Sequence, residues 1–142
     1  MNSLSSPILV ASSSIWLNLC IGCVPAGYPS LLSEQAKELV DINGYLIRNE
    51  IATYIFRVQG NAMIDAGIFD GDVLLVDRSI EPKNNDIVLA TLNEEFIVKR
   101  LHKRAGVVKL VSENPIYPAL VIKVSDDFAV WGVVINSIHK LC

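Results

Sequence analysis

Lys99 lies in the apolar run Glu95-Phe96-Ile97-Val98-Lys99-Arg100-Leu101. If that run is a strand, alternation sets Lys99 on the face of Ile97 and Leu101, while Arg100 shares the opposite face with Phe96 and Val98. A lysine carried inward by an Ile/Leu pair loses solvation. Its neutral amine is then favoured and can take a proton from a hydroxyl. Arg100 cannot do this, because guanidinium stays charged. Without a nucleophile nearby, the same lysine reads as an ordinary strand residue whose ammonium reaches water.

A second segment supplies the place for a nucleophile but not the atom. Gly60-Asn61-Ala62-Met63-Ile64-Asp65-Ala66-Gly67-Ile68-Phe69-Asp70-Gly71-Asp72 follows a β-rich run and ends in a turn that feeds the next one. A glycine ahead of a tight turn lets the backbone expose one side chain and the N–H groups beside it, the geometry of an attacking residue with an oxyanion hole. The tip residue here is Ala62. A plain inter-strand loop is the other reading of these residues.

The elements needed to position both segments are mainly β. Runs at 53–58, 73–76, 87–92, 96–102, 107–111, 120–124 and 128–138 are separated by turn formers such as Asp70-Gly71, Asn93-Glu94, Ala105-Gly106 and Asn114-Pro115. Strands without interleaved helices predict a small twisted β domain. Ahead of it, Pro25, Gly27 and Pro29 mark a boundary near residue 27. Leu32, Ala36, Leu39 and Val40 then fall at helical spacing, with Ser30 or Ser33 as N-cap, so one short helix is expected, ending near Asn43-Gly44. The organisation expected is an arm over 1–27, a connecting segment with the helix over 28–50, and the β domain over 51–142.

At 142 residues there is room for one core. A hydrophobic fraction of 51% suggests apolar surface that meets a partner, and a homodimer is expected. A net charge of −3 gives no broad attraction to phosphate, so direct nucleic-acid binding is not expected. The basic run Lys99, Arg100, His102, Lys103 and Arg104 reads as a strand end. The first 20 residues are too short and too polar for a membrane span, and three cysteines without a secretory signal point to the cytoplasm. Cys20 and Cys23 form a lone C-x-x-C pair, too few ligands for zinc; neither metal nor cofactor is expected.

The glycine-led segment resembles the Gly-x-Ser-Met-x-x-x-Gly-Ile-x-Asp-Gly-Asp box of the LexA/UmuD self-cleaving family. Residues 96–101 resemble its lysine strand, and the 37 positions from Ala62 to Lys99 suit its spacing. Asn114-Pro115 and Val130-Trp131-Gly132-Val133-Val134 resemble its later strands. Ala26-Gly27 fits its cleavage dipeptide, followed by Tyr28-Pro29-Ser30 as after the UmuD cut. Small residues there let the scissile carbonyl approach the nucleophile, with Val24 in an apolar subsite and the arm added as a strand along the cleft.

The resemblance covers roughly residues 25–138 and implies the β fold of the LexA C-terminal/UmuD type. It implies position 62 as nucleophile, Lys99 as general base, and the N–H groups of Ala62 and Met63 as oxyanion donors. About 26 residues precede the scissile bond, too few for a helix-turn-helix domain, so UmuD is the nearer expectation than a repressor. That implies an SOS-mutagenesis accessory protein, cut with the help of a RecA filament on single-stranded DNA, whose product joins a Y-family, UmuC-like polymerase subunit.

Serine is expected at position 62, and alanine leaves no atom to attack. This chain should not cut itself. Either serine has been replaced to keep the precursor intact, or a natural homologue has lost the reaction and works as a binding module that regulates a polymerase or a repressor. Retention of Lys99 and Ala26-Gly27 favours the first.

Overall fold

The computed structural model describes residues 14–20, 24–28 and 37–142, which fall into two units, one ending at Ile47 and one spanning Arg48–Cys142. In the first, β1 (Trp16–Cys20) pairs antiparallel with β2 (Lys37–Asp41), Trp16 opposite Asp41 and Cys20 opposite Lys37. Asp41 ends the ribbon with its carboxylate, which accepts from the N–H of Ile15 and of Asn43, both at 3.2 Å. The second of these bonds caps α1 (Ile42–Leu46).

This corrects the predicted helix. Residues 37–41 are strand, and α1 begins where the helix was to end, with Asn43-Gly44 inside it. Leu39 and Val40 fit a helical stripe, but in so short an apolar run the spacing does not separate helix from strand. The ladder to β1, remote in sequence, decides it. Leu32, Ala36 and the two serines proposed as N-cap lie outside the described residues.

The second unit is one antiparallel sheet of β3 (Thr53–Arg57), β4 (Val73–Asp77), β5 (Ile87–Leu92), β6 (Glu95–Arg104), β7 (Val107–Val111), β8 (Leu120–Val121) and β9 (Phe128–Ile138). Its spatial order is β3-β4-β9-β5-β6-β7-β8. The mainly β fold with one short α-helix is as the sequence predicts, and β5, β7 and β9 have the predicted bounds. Tight turns account for that agreement. Asn93 and Glu94 both adopt positive φ between β5 and β6, as do Ala105 and Gly106 between β6 and β7, which suits two-residue hairpins.

The buried apolar residues of the sheet and its loops gather into two clusters. Met63, Ile68, Leu74, Val76 and Leu89 form one; Val88, Ala90, Leu101, Leu110 and Val133 form the other. The long β9 serves both by slipping register twice: its neighbours skip Trp131 on the β5 side and Ile135 on the β4 side. Between the slips, Gly132 lies so close to β4 that a Cβ would sit 2.6 Å from Val76 Cγ1.

Candidate active site

The chain leaves β3, turns at Gly60 with φ of 95°, and returns as β4. The Gly60 N–H donates to Asp70 Oδ1 at 2.6 Å, and the Gly71 N–H to the Val58 carbonyl at 2.9 Å, so the loop closes on its own base. Met63 and Ile68 are buried below it, and a 3₁₀ turn, Ile64–Ala66, stands between them. Ala62 is left half-buried at the tip. Among the described residues, the N–H groups of Ala62 and Met63 have no backbone acceptor. That leaves two adjacent donors for an oxyanion.

Asp72, at the far end of the loop, is buried; one carboxylate oxygen accepts from the Phe69 N–H at 2.8 Å and the other meets His139. Burial pushes this carboxyl up, but the Phe69 N–H and His139 outweigh it and hold the group below the usual carboxylate range.

Lys99 takes the inward face of β6, opposite Val88 and two residues from the buried Leu101, and is only 7% exposed. Burial pushes its amine below the ordinary lysine range. Its Nζ donates to Ser112 Oγ, and the Tyr117 ring centre lies 5.5 Å away. A ring face favours the charged amine, so loss of water is what works toward neutrality here. Arg100 points the other way, pairing with Glu113 and donating from Nη1 to the Asn85 carbonyl at 2.6 Å. The alternation read from sequence separates these two cations correctly.

Ala62 and Lys99 line one cleft of about 320 Å³, together with Met63, Leu74 and Leu89 on its floor and Phe56 and Phe96 on its rim. Apolar walls of this kind keep an amine poorly solvated while leaving space for a peptide beside it.

Sequence reasoning missed the segment that joins the two halves. Residues 112–117 carry Ser112 to Lys99 and at the same time grip the Ala62 turn. The Glu113 carbonyl accepts from the Asp65 N–H at 2.8 Å, Asn114 Nδ2 donates to the Asn61 carbonyl at 2.9 Å, and the Tyr117 hydroxyl donates to Asn61 Oδ1 at 3.1 Å. Asn114-Pro115 signalled a turn, but nothing in it pointed to Asn61.

Ala26 and Gly27 belong to the first unit, where they are exposed in the connection between β1 and β2, with Val24 77% and Tyr28 89% exposed beside them. Cys20 and Cys142 are exposed free thiols, and Cys23 lies outside the described residues. No described helix is long and apolar enough to cross a membrane.

Residues 18–135 match the family described as Peptidase S24-like. The chain is 37% identical over 120 residues to the LexA repressor of Paracidovorax citrulli, covering 84% of this chain and 53% of that protein. With the LexA repressor of Bordetella parapertussis the identity is 39% over 119 residues, 84% of this chain and 55% of the other. With Protein SamA of Salmonella typhimurium it is 38% over 116 residues, 82% of this chain and 80% of the other. The chain thus spans about half the length of the LexA repressors it matches.

Proposed function

The chain belongs to the Peptidase S24-like family, in its LexA/UmuD-like group, and from that premise we propose that it is the non-cleaving form of an SOS-mutagenesis accessory protein of the UmuD type. In the serine form, the hydroxyl at position 62 attacks the Ala26 carbonyl while neutral Lys99 takes its proton. The N–H groups of Ala62 and Met63 hold the oxyanion. Lys99 then returns the proton to the departing Gly27 amine, and water releases the acyl group from the serine.

The observation that carries this reading is the cleft itself: a desolvated Lys99 and the tip residue Ala62 line the same apolar hollow. Tyr28-Pro29-Ser30, like the segment after the UmuD cut, supports the accessory-protein side. A RecA filament on single-stranded DNA need only favour the arm-in-cleft state, since it supplies no group the dyad lacks. The shortened product joins a UmuC-like subunit of a Y-family polymerase. The protein acts as a homodimer in the cytoplasm, without metal or cofactor.

The test is to place serine at position 62. The Ala62→Ser chain, incubated with RecA, nucleotide and single-stranded DNA, should split into fragments of 26 and 116 residues by intact mass. Adding Lys99→Ala should stop it. An Ala62→Ser chain that stays whole under these conditions and in mild alkali contradicts the peptidase reading and leaves a binding module.

A further inference from the structure

The dyad as proposed makes no use of Ser112, yet Ser112 is where the Lys99 amine is tied. It lies one residue beyond β7, is 8% exposed, and accepts a hydrogen bond from Lys99 Nζ. Its backbone is held on both sides. Val111 stands opposite Arg100 in the β6–β7 ladder, and the next residue, Glu113, receives the Asp65 N–H and pairs with Arg100.

A neutral amine has two N–H bonds and one lone pair, and rotation about Cε–Nζ decides where the lone pair points. A base works only when that lone pair meets the hydroxyl it is to deprotonate. We infer that Ser112 is a positioning residue for Lys99: by accepting an N–H on the wall side, it turns the lone pair toward the cleft and the residue at position 62. This rests on the peptidase reading above. Ser112 itself is no replacement nucleophile, because it is buried and the residues lining the cleft include Lys99 and not Ser112.

The same bond has a second, opposite effect that makes the inference testable. Hydrogen bonds to a charged group are stronger than those to a neutral one, so the Ser112 oxygen also supports the ammonium. Ser112→Ala should therefore slow the plateau of cleavage at high pH while lowering the pH at which that plateau is reached. A purely structural loosening that admitted water would move the midpoint up, toward ordinary lysine.

The experiment compares Ala62→Ser with Ala62→Ser/Ser112→Ala and Ala62→Ser/Ser112→Thr across the alkaline range, with fold checked by amide NMR spectra. We expect a plateau rate roughly tenfold to hundredfold lower in the alanine variant, as for a misplaced catalytic group, with the midpoint lower. Both should return when threonine restores the hydroxyl. A plateau within twofold of the parent, or a midpoint that rises, overturns the role. If Ala62→Ser does not cleave at all, the peptidase reading fails separately. The positioning claim is then read from the Lys99 titration by NMR in the Ala62 chain, where Ser112→Ala should lower the midpoint and an unmoved midpoint sinks the claim.

Discussion

The two walls of the cleft are built in opposite ways. The turn that carries Ala62 is held by polar bonds made by its neighbours, from Gly60 to Asp70, from Asn114 and Tyr117 to Asn61, and from Asp65 to Glu113. The Ala62 side chain has no part in them. β6 is held by backbone ladders to β5 and β7 along its two edges, and Lys99 and Leu101 are the residues it buries. A change of side chain at position 62 should therefore cost the fold little, whereas the strand carries a group whose charge opposes folding. That burial holds the Lys99 amine below the ordinary lysine range.

Truncating the shared floor should do the most damage. Leu74 is fully buried beneath the turn and lines the cleft, so Leu74→Ala should cost about 3 kcal/mol in urea unfolding, as large-to-small core changes do. A loss below about 1 kcal/mol would mean that the turn has no firm floor.

Lys99→Met tests the strand side with the opposite sign. Filling the site with an apolar chain of similar length should stabilise the protein by about 1 kcal/mol at neutral pH. Folded Lys99 releases its proton at lower pH than an unfolded lysine. Between those two points the unfolded chain binds more protons, so the parent gains stability as pH rises through the alkaline range, and the advantage of methionine narrows there. A gap that stays constant with pH would mean the amine is not desolvated.

On the turn side, Asn114→Ala removes one grip on Asn61 and should cost about 1 kcal/mol, the ordinary worth of such a bond. Ala62→Ser, the smallest change, should alter the unfolding free energy by less than about 0.5 kcal/mol, as expected of a half-buried tip residue whose side chain makes no bond. A larger loss would show that alanine is a structural requirement of the turn.

What the sequence made legible follows from the same contrast. The β6 face was readable because strand alternation is local: Ile97, Lys99 and Leu101 must share a side. The strand limits were readable where positive-φ pairs such as Asn93-Glu94 close a hairpin. Residues 37–41 were misread as helix because their partner strand lies some twenty residues earlier, a distance over which spacing carries no information. Ser112, Asn114 and Tyr117 went unnoticed for a similar reason. Each acts through a contact made only when β7 and the Ala62 turn are brought together, and no local pattern marks a serine that will face a lysine.

Lys99 is held out of water in a cleft that it shares with Ala62. Its amine can be followed directly, by ¹⁵N and ¹³Cε NMR titration of the chain as it stands, with Lys99→Met to assign the resonance. Burial beside position 62 should make Lys99 titrate below the other lysines and make its resonance move when that position becomes serine. An amine that titrates with the surface lysines and ignores that change would contradict that burial.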